Sequence, residues 1–298
     1  MRKRIKHALV AALIVIPGLV AWHDTTTATL RHAEVPVSGL GRDVTILHVS
    51  DLHGATFGTG QADIARLLED RSFDAVVMNG DHIPRFESDP APALELLAVL
   101  QEHAPVVFVT RGNHDTTAVI QLLVDRGAVF LAPGDDAVRF ARDAGLVVAI
   151  PALQPGHTPS DAAAVLAVGH FPMSDAAIAA QPLPATATGV YLFGHTHGGQ
   201  VRLPLVGAIW APGPVDAIGA AGPRHEEGNF FPELRGRTLS GLSRVGDVYT
   251  HTSAGLGTQS VRLRFLCPAE MTAITLKAVS RRSTSVPRVG ETRNRVIP

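Results

Sequence analysis

The stretch DVTILHVSDLH, residues 43–53, places an Asp-x-His pair directly after a run of apolar and β-branched residues. Such a run predicts a buried strand, because these side chains suit a sheet that is covered on both faces. Polar residues follow four later apolar runs in the same way, at Gly80-Asp81, Gly112-Asn113-His114-Asp115, Gly169-His170 and Gly194-His195-Thr196-His197. Five predicted strands therefore end in side chains that are able to bind metals or substrates.

The segments between these runs divide the chain into two halves of different character. Apolar residues at helical spacing predict helices over 61–71, 91–103 and 116–127, each between predicted strands. Beyond residue 127 the predicted strands follow one another with few helices, at 146–153, 163–170, 189–195, 200–205, 248–255, 261–267 and 271–279. An α/β fold of two mixed sheets packed together and flanked by helices, a four-layer αββα sandwich, satisfies both halves.

Composition and charge limit the classes of function. The 298 residues are 46% hydrophobic and 18% charged, which indicates one globular domain. A net charge of −1 provides no broad positive field, so a nucleic-acid partner is not expected. Cys267 is the single cysteine, which excludes a disulfide within the chain and indicates a buried free thiol. The 14 histidines favour a metal site instead.

The two ends of the chain differ from its middle. Four basic residues within 2–6 precede an apolar run over 8–22, which is typical of a signal peptide or signal-anchor within residues 1–30. This pattern predicts an extracytoplasmic protein that associates with the membrane through its N-terminus, and leaves open whether the leader is cleaved. The arginine-rich segment 281–298 predicts a disordered tail, so the domain is expected to span 41–280.

The polar residues at the five strand ends form a coherent set of metal ligands. Two carboxylates, one amide and four imidazoles make up the set: Asp51, His53, Asp81, Asn113, His170, His195 and His197. Seven ligands suit two ions with one bridging carboxylate, and oxygen and nitrogen donors without sulfur favour Mn, Fe or Zn. Two such ions clamp an in-line displacement at phosphorus and activate a bridging water as hydroxide.

Over about residues 43–200, the order and spacing of these blocks resemble the calcineurin-like metallophosphoesterases. The Gly-Asn-His-Asp and Gly-His-x-His blocks are the most specific parts of the resemblance. The stretches 194–204 and 253–276 are similar to a membrane-associated bacterial phosphodiesterase branch of that family. The αββα fold that this resemblance implies agrees with the strand pattern.

The resemblance implies a role for each residue of the five blocks. One ion would be held by Asp51, His53, Asp81 and His197, and the other by Asp81, Asn113, His170 and His195. His114 would stabilise charge on the phosphoryl group or protonate the leaving oxygen. Asp115 would orient His114 or its loop.

Several residues outside the ligand set have open interpretations. His82 is either an additional hydrogen-bond donor beside the site or a surface loop residue. Arg111 either binds substrate phosphate or forms a structural ion pair. His48 is interpreted as a hydrogen-bonded strand residue, and neither His225 nor His251 has a clear partner. Ala254 stands where related chains often have an arginine, which puts phosphate recognition at that position in doubt.

The leading hypothesis is a dinuclear phosphodiesterase that acts on a small-molecule, cell-envelope or lipid-linked phosphoester. A phosphomonoesterase or protein phosphatase of the same fold and a catalytically inactive metal-binding scaffold are the alternatives. A metallopeptidase is disfavoured because the sequence contains no His-Glu-x-x-His. The segment 207–247, rich in Gly, Pro and Arg, is predicted to form part of the substrate rim.

Overall fold

The computed structural model describes residues 2–85, 89–152, 155–181, 183–211, 229–235, 238–259 and 261–279. Its helices are α1 (Arg2–Thr26), α2 (Ala62–Leu68), α3 (Ala91–Gln101), α4 (Thr117–Asp125) and α5 (Asp175–Ala179). The first eight strands are β1 (Ala28–Ser38), β2 (Val44–Ser50), β3 (Ala75–Asn79), β4 (Val107–Thr110), β5 (Val129–Phe130), β6 (Val138–Phe140), β7 (Val147–Pro151) and β8 (Ala164–Val168). The others are β9 (Thr188–Phe193), β10 (Arg202–Leu203), β11 (Gly207–Ala208), β12 (Trp210–Ala211), β13 (Asn229–Phe230), β14 (Gly241–Val245), β15 (Val248–Thr252) and β16 (Ala269–Val279).

Two six-stranded mixed sheets form the centre of the fold. The first sheet has the order β1-β16-β2-β3-β4-β5, in which β2 to β5 are parallel and β16 is antiparallel to β2. The second has the order β14-β15-β9-β8-β7-β6, with β7, β8, β9 and β15 parallel. Because the parallel strands of each sheet run in one direction, their carboxyl ends lie along one edge of that sheet.

Successive side chains of each strand point to opposite faces of its sheet, and they pack into three apolar layers. Val76 and Val109 pack with the helices α2, α3 and α4, whereas their neighbours Val77 and Phe108 pack against the second sheet. On the outer face of the second sheet, Tyr191 and other side chains pack with the short helix α5. Side chains two residues apart share a face of a strand, so this alternation builds an αββα sandwich. The predicted fold class is confirmed.

The first sheet extends further towards the N-terminus than the sequence predicted. Strand β1 pairs with β16 in parallel from Ala28↔Ala269 to Ser38↔Val279, so the sheet begins well before residue 41, where the domain was expected to start. The end of α1 is also joined to the domain, since Asp24 and Thr25 accept hydrogen bonds from the backbone of Cys267 and Arg264. None of the described helices has the length and hydropathy of a membrane span.

One predicted strand is wrong. Residues 261–267 form a loop whose β pairing within the described chain is a single bridge from Val201 to Phe265. The side chain of Gln200 donates to the carbonyls of Val261 and Leu263, and the buried Arg264 side chain turns inward. Side-chain groups thus donate hydrogen bonds to carbonyls that pairing with a neighbouring strand would require. The basic tail predicted over 281–298 lies outside the described residues.

A buried polar chain joins the two sheets below their carboxyl edge. Asn79 shares its amide protons among the His48 ring, at 3.2 Å from Nε2, and the carbonyls of Gly169 and Leu192. An accepting Nε2 leaves the His48 proton on Nδ1, which donates over 2.9 Å to Nδ1 of His251. His48 is thus a hydrogen-bonded strand residue, as predicted, and it is also the partner that the sequence did not provide for His251.

This buried pair predicts a stability that depends on pH. Burial lowers the pKa of His251 to about 4, so the folded protein resists a proton that the unfolded chain accepts below pH 6.5. Stability contributed by the neutral ring is full above pH 6.5 and is lost as the pH falls towards 4. This loss amounts to about 2 kcal/mol between pH 7 and pH 5.

His251→Gln should therefore show a smaller decrease in the free energy of unfolding between pH 7 and pH 5 than the unsubstituted protein. Urea unfolding at the two pH values measures this difference. His157→Gln, at an exposed histidine, is the control that should keep the original decrease. An equal decrease in the His251 variant and the control would contradict the assignment of a neutral buried pair.

Candidate metal centre

The carboxyl ends of five strands from both sheets converge on one buried cluster. The first sheet contributes residues after β2, β3 and β4, and the second contributes residues after β8 and β9. Six of the seven predicted metal ligands are less than 9% exposed: Asp51, His53, Asp81, His170, His195 and His197. Asn113 differs, because it is exposed and lines a neighbouring cavity together with His170.

The backbone at this cluster is held in an uncommon conformation. Five of the predicted ligands are in the left-handed region, with φ values of 52° for Asp51, 46° for His53, 50° for Asp81, 68° for His195 and 51° for His197. Residues with a Cβ rarely adopt this conformation, and such residues cluster at functional sites because the surrounding structure maintains the strain. The left-handed turns aim side chains from successive strands at one point.

Asp81 lies at the centre of the cluster. Its Oδ1 accepts a 2.9 Å hydrogen bond from the backbone nitrogen of His114. Its Oδ2 faces three imidazoles, at 3.2 Å from Nε2 of His170, 3.5 Å from Nε2 of His53 and 3.7 Å from Nε2 of His114. This carboxylate is therefore the group that touches both sides of the cluster.

A second carboxylate and the remaining imidazoles surround this centre. Asp51 lies 3.4 Å from Nε2 of His197, and its carboxylate accepts hydrogen bonds of 3.0 and 3.1 Å from the backbone nitrogen of His195. Ligand atoms lie within 4.8 Å of one another in three groups, namely Asp51-His53-His197, His53-Asp81-His114 and Asp81-His170-His195. The first group contains three members of one ligand set that the family resemblance implies, without Asp81, and the third contains three members of the other set, without Asn113.

Hydrogen bonds behind the cluster orient its imidazoles. Nδ1 of His170 donates to the backbone carbonyl of Asn79 over 3.0 Å, which leaves Nε2 free to face Asp81. A histidine that binds metal commonly donates its other ring proton to a carbonyl in this way. The same Asn79 residue holds the two sheets together through its side chain, so the position of His170 depends on the packing of both sheets.

The electrostatics of the cluster favour bound cations. Burial alone would lower the pKa of His170, but the carboxylates of Asp81 and Asp51 outweigh it and raise that pKa to about 10. Burial would raise the pKa of Asp81, but the surrounding imidazoles, led by His170, hold it well below its usual range. Burial also raises the pKa of Asp51 to about 6 and lowers that of His53 to about 4. Positive charge beside the two carboxylates offsets their burial.

The donor atoms fit divalent metal ions. Among the described residues, Oδ2 of Asp81, Nε2 of His170 and Nδ1 of His197 are buried without a hydrogen-bond partner of suitable geometry. Buried polar atoms in proteins are nearly always paired, and those that lack a partner call for an ion or another bound group. Imidazole nitrogen and carboxylate oxygen are the donors that zinc, iron and manganese accept.

The loop after β4 presents a histidine beside the ligands. Nε2 of His114 lies 3.1 Å from Nε2 of Gln259, so the amide donates to the ring and the neutral ring holds its proton on Nδ1. Asp115 fixes the loop itself, because its carboxylate accepts from the backbone nitrogens of Gly112 and His82 at 2.9 and 2.7 Å. Asp115 therefore orients the His114 loop and shows no hydrogen bond to the His114 ring.

Contacts decide the open interpretation of His82 and locate Arg111. His82 is 2% exposed and its Nε2 donates to the carbonyl of Thr110 over 3.1 Å, so the surface-loop interpretation is wrong. Arg111 is exposed, and its Nε donates to the backbone carbonyl of Asp115 over 3.0 Å. It also lines the cavity of about 650 Å³ that contains Asn113 and His170. Arg111 therefore lies in the wall of that cavity.

Supporting residues that the sequence did not reveal lie in the loop after β15. Arg264 is fully buried and donates to the carbonyls of Ala254 and Gly257, and the Gly257 nitrogen donates to the Asp51 carbonyl. Arg264 thus holds the loop that contains Ala254, the position at which related chains often have an arginine. Cys267 is buried, as predicted, and its thiol contacts the carbonyl of His197 at 3.4 Å.

The fold and the ligand set together define a class of protein, the metal-dependent phosphoesterases. The sequence profile of the calcineurin-like phosphoesterases matches residues 44–199, a segment that contains every predicted ligand. The chain belongs to this family, and its domain is that of a phosphoester hydrolase.

Two bacterial proteins show how far the similarity extends. The chain is 31% identical over 106 residues to the uncharacterized metallophosphoesterase YkuE of Bacillus subtilis (strain 168), a match that covers 36% of the chain and 29% of YkuE. It is 27% identical over 252 residues to the phosphodiesterase YaeI of Escherichia coli (strain K12), with 78% of the chain and 81% of YaeI covered. The similarity to YaeI thus extends beyond the segment that carries the ligands.

The close packing at Gly194 provides a test of the site geometry. A Cβ at this position would lie 2.5 Å from Oδ2 of Asp51 and 2.6 Å from Oγ of Ser50. Gly194→Ala should displace the Asp51 carboxylate and weaken Mn²⁺ binding by about 10- to 100-fold, which isothermal titration calorimetry measures. Gly41→Ala is the matched control, because its Cβ would meet its nearest atom at an ordinary 3.8 Å. Equal Mn²⁺ affinity in the two variants would contradict the proposed crowding.

Proposed function

We propose that this protein is a dinuclear metal-dependent phosphodiesterase. Asp51, His53 and His197 would hold one ion and His170 and His195 the other, and Asp81 would be a ligand in both groups. The observation that carries this proposal is the overlap of buried donor groups around Asp81, which faces imidazoles from both sheets. Asn113 completes the second group by resemblance to the family, and the donor chemistry suits Mn, Fe or Zn.

Phosphoester hydrolysis places separate demands on the ions and on the protein. Two divalent ions at such a site produce a nucleophile from water near neutral pH and offset negative charge on the phosphoryl oxygens. The backbone nitrogen of His114 donates to Oδ1 of Asp81 and so holds this carboxylate with its Oδ2 towards His53 and His170. Packing around the buried residues excludes bulk water, which strengthens the interaction of the site with a charged substrate.

His114 is the residue that acts on the substrate directly in this proposal. Its ring stacks edge-on against His53 at 5.0 Å, and Gln259 contacts its Nε2. Nε2 is the ring atom that faces the cluster, and when protonated it stabilises a phosphoryl oxygen or protonates the leaving oxygen. Asp115 is a positioning residue, because it acts through the backbone of the loop. Arg111 binds substrate phosphate from the neighbouring cavity.

The proposed substrate is a small cell-envelope or lipid-linked phosphodiester. Similarity to a protein named as a phosphodiesterase supports the diester, and the basic and apolar leader in the sequence supports an extracytoplasmic, membrane-associated location. The described part of the segment 207–247 contributes Ile209 and Trp210 to a cavity beside His197. These contacts support the assignment of that segment to the substrate rim.

Hydrolysis of bis-p-nitrophenyl phosphate and p-nitrophenyl phosphate by the Mn²⁺-loaded protein tests this function. The diester should be hydrolysed with the higher kcat/KM, and Asp81→Asn should lower it by more than about 100-fold because both ions lose a ligand. Asp63→Asn, at an exposed carboxylate of α2, is the control that should retain activity. Higher kcat/KM for the monoester would favour a phosphomonoesterase. Full metal binding without turnover of either compound would identify an inactive scaffold.

A further inference from the structure

An apolar cavity of about 300 Å³ opens beside the metal centre. Four apolar side chains contribute to its wall, those of Val201, Ile209, Trp210 and Val261. The described lining residues include no lysine, arginine, aspartate or glutamate. A binding cavity of this size with apolar walls and few polar groups takes an apolar part of a ligand, since a charged group placed there would lose its hydration without a partner.

The polar groups of this cavity are parts of the proposed active site. His197, one of the predicted metal ligands, and Gln259, which contacts His114, both line it. Gln200 lines it as well, and its Oε1 accepts a 2.8 Å hydrogen bond from the backbone of Gln259. A molecule bound in the cavity therefore meets the metal centre on the His197 side.

A second cavity beside the centre, with many apolar residues in its wall, differs from the first in that it also contains a charged side chain. It contains Arg111 and Asn113 beside His170, so it provides a cation and an amide to a bound group. The cavity beside His170 thus contains a charged group, that of Arg111, whereas the described lining of the cavity beside His197 contains none. An anionic part of a phosphoester is therefore favoured on the side of Arg111.

Exposed apolar side chains continue outward from the apolar cavity. Backbone hydrogen bonds join Ile209 to Val201 and Phe231 to Ile209, which brings the short strands around the cavity into one surface. This surface, which we call the apolar rim, exposes 38% or more of each of its side chains: Leu203, Leu205, Trp210, Phe230, Phe231, Val261 and Leu263. Contiguous exposed apolar side chains commonly mark a binding surface for an apolar ligand.

We propose that the cavity beside His197 binds an aliphatic chain that is covalently attached to the phosphoester substrate. This inference rests on the proposed hydrolysis of phosphoesters and specifies the substrate as an amphiphile. The chain lies between Trp210 and Val261, and its polar end reaches the metal centre past His197. Burial of each methylene of the chain in this cavity removes apolar surface from water. It therefore increases the affinity for the substrate and for its transition state, which raises kcat/KM.

Diesters of p-nitrophenyl phosphate that carry a methyl, butyl or octyl group test this inference when kept below their aggregation concentration. With the Mn²⁺-loaded full-length protein, kcat/KM should increase by about fourfold per methylene until the cavity is filled. Val261→Asp and Trp210→Ala should each reduce the ratio of kcat/KM for octyl over methyl towards one. Both side chains are at least 40% exposed, so these substitutions are compatible with folding. Leu122→Asp, at an exposed leucine of α4, is the matched control that should keep the original ratio.

The possible outcomes separate this inference from the proposed function. Turnover of all three diesters with equal kcat/KM would overturn chain binding and leave phosphodiester hydrolysis intact. Absence of turnover of every diester would overturn the hydrolysis and the inference with it. Preference for thymidine 5′-p-nitrophenyl phosphate over the octyl diester, lost in Trp210→Ala, would assign the cavity to a nucleobase and overturn the aliphatic chain.

Discussion

The architecture depends on one buried carboxylate, that of Asp81. It is 1% exposed, and its Oδ2 faces His53 and His114 from the first sheet and His170 from the second. A buried anion with no compensating charge would cost several kcal/mol, so both sheets must bring their carboxyl ends to the same place. The site therefore forms only when the two sheets pack together. Below the centre, Asn79 joins the sheets by donating hydrogen bonds to the carbonyls of Gly169 and Leu192.

The same requirement explains why the strands end as they do. Left-handed backbone at Asp51, Asp81 and His195 turns each chain sharply, so that side chains from adjacent strands point inward. Position 194 requires glycine because Asp51 lies beside it. A larger residue at this position would occupy the space of the Asp51 carboxylate. Strain and close packing are thus concentrated where the donors meet, while the strands beneath have ordinary alternating cores.

The sequence predicted the parts of the molecule that depend on local pattern. Apolar runs followed by Asp, Asn or His predicted the strand ends, and the αββα order followed from the change in pattern near residue 127. Features that depend on distant partners were not visible. Strand β1 pairs with a strand some 240 residues away, and it contains Pro36, a residue that strands seldom include. The contacts of His251 with His48 and of Gln259 with His114 likewise require the folded chain.

The most direct test of the central claim is anomalous X-ray diffraction from crystals of the Mn²⁺-loaded protein. Two ions on either side of Asp81 predict two anomalous peaks about 3.5–4 Å apart. One peak should lie near His53 and His197 and the other near His170 and His195. A single peak, or peaks that do not flank the Asp81 carboxylate, would contradict the account of a centre shared between the two sheets.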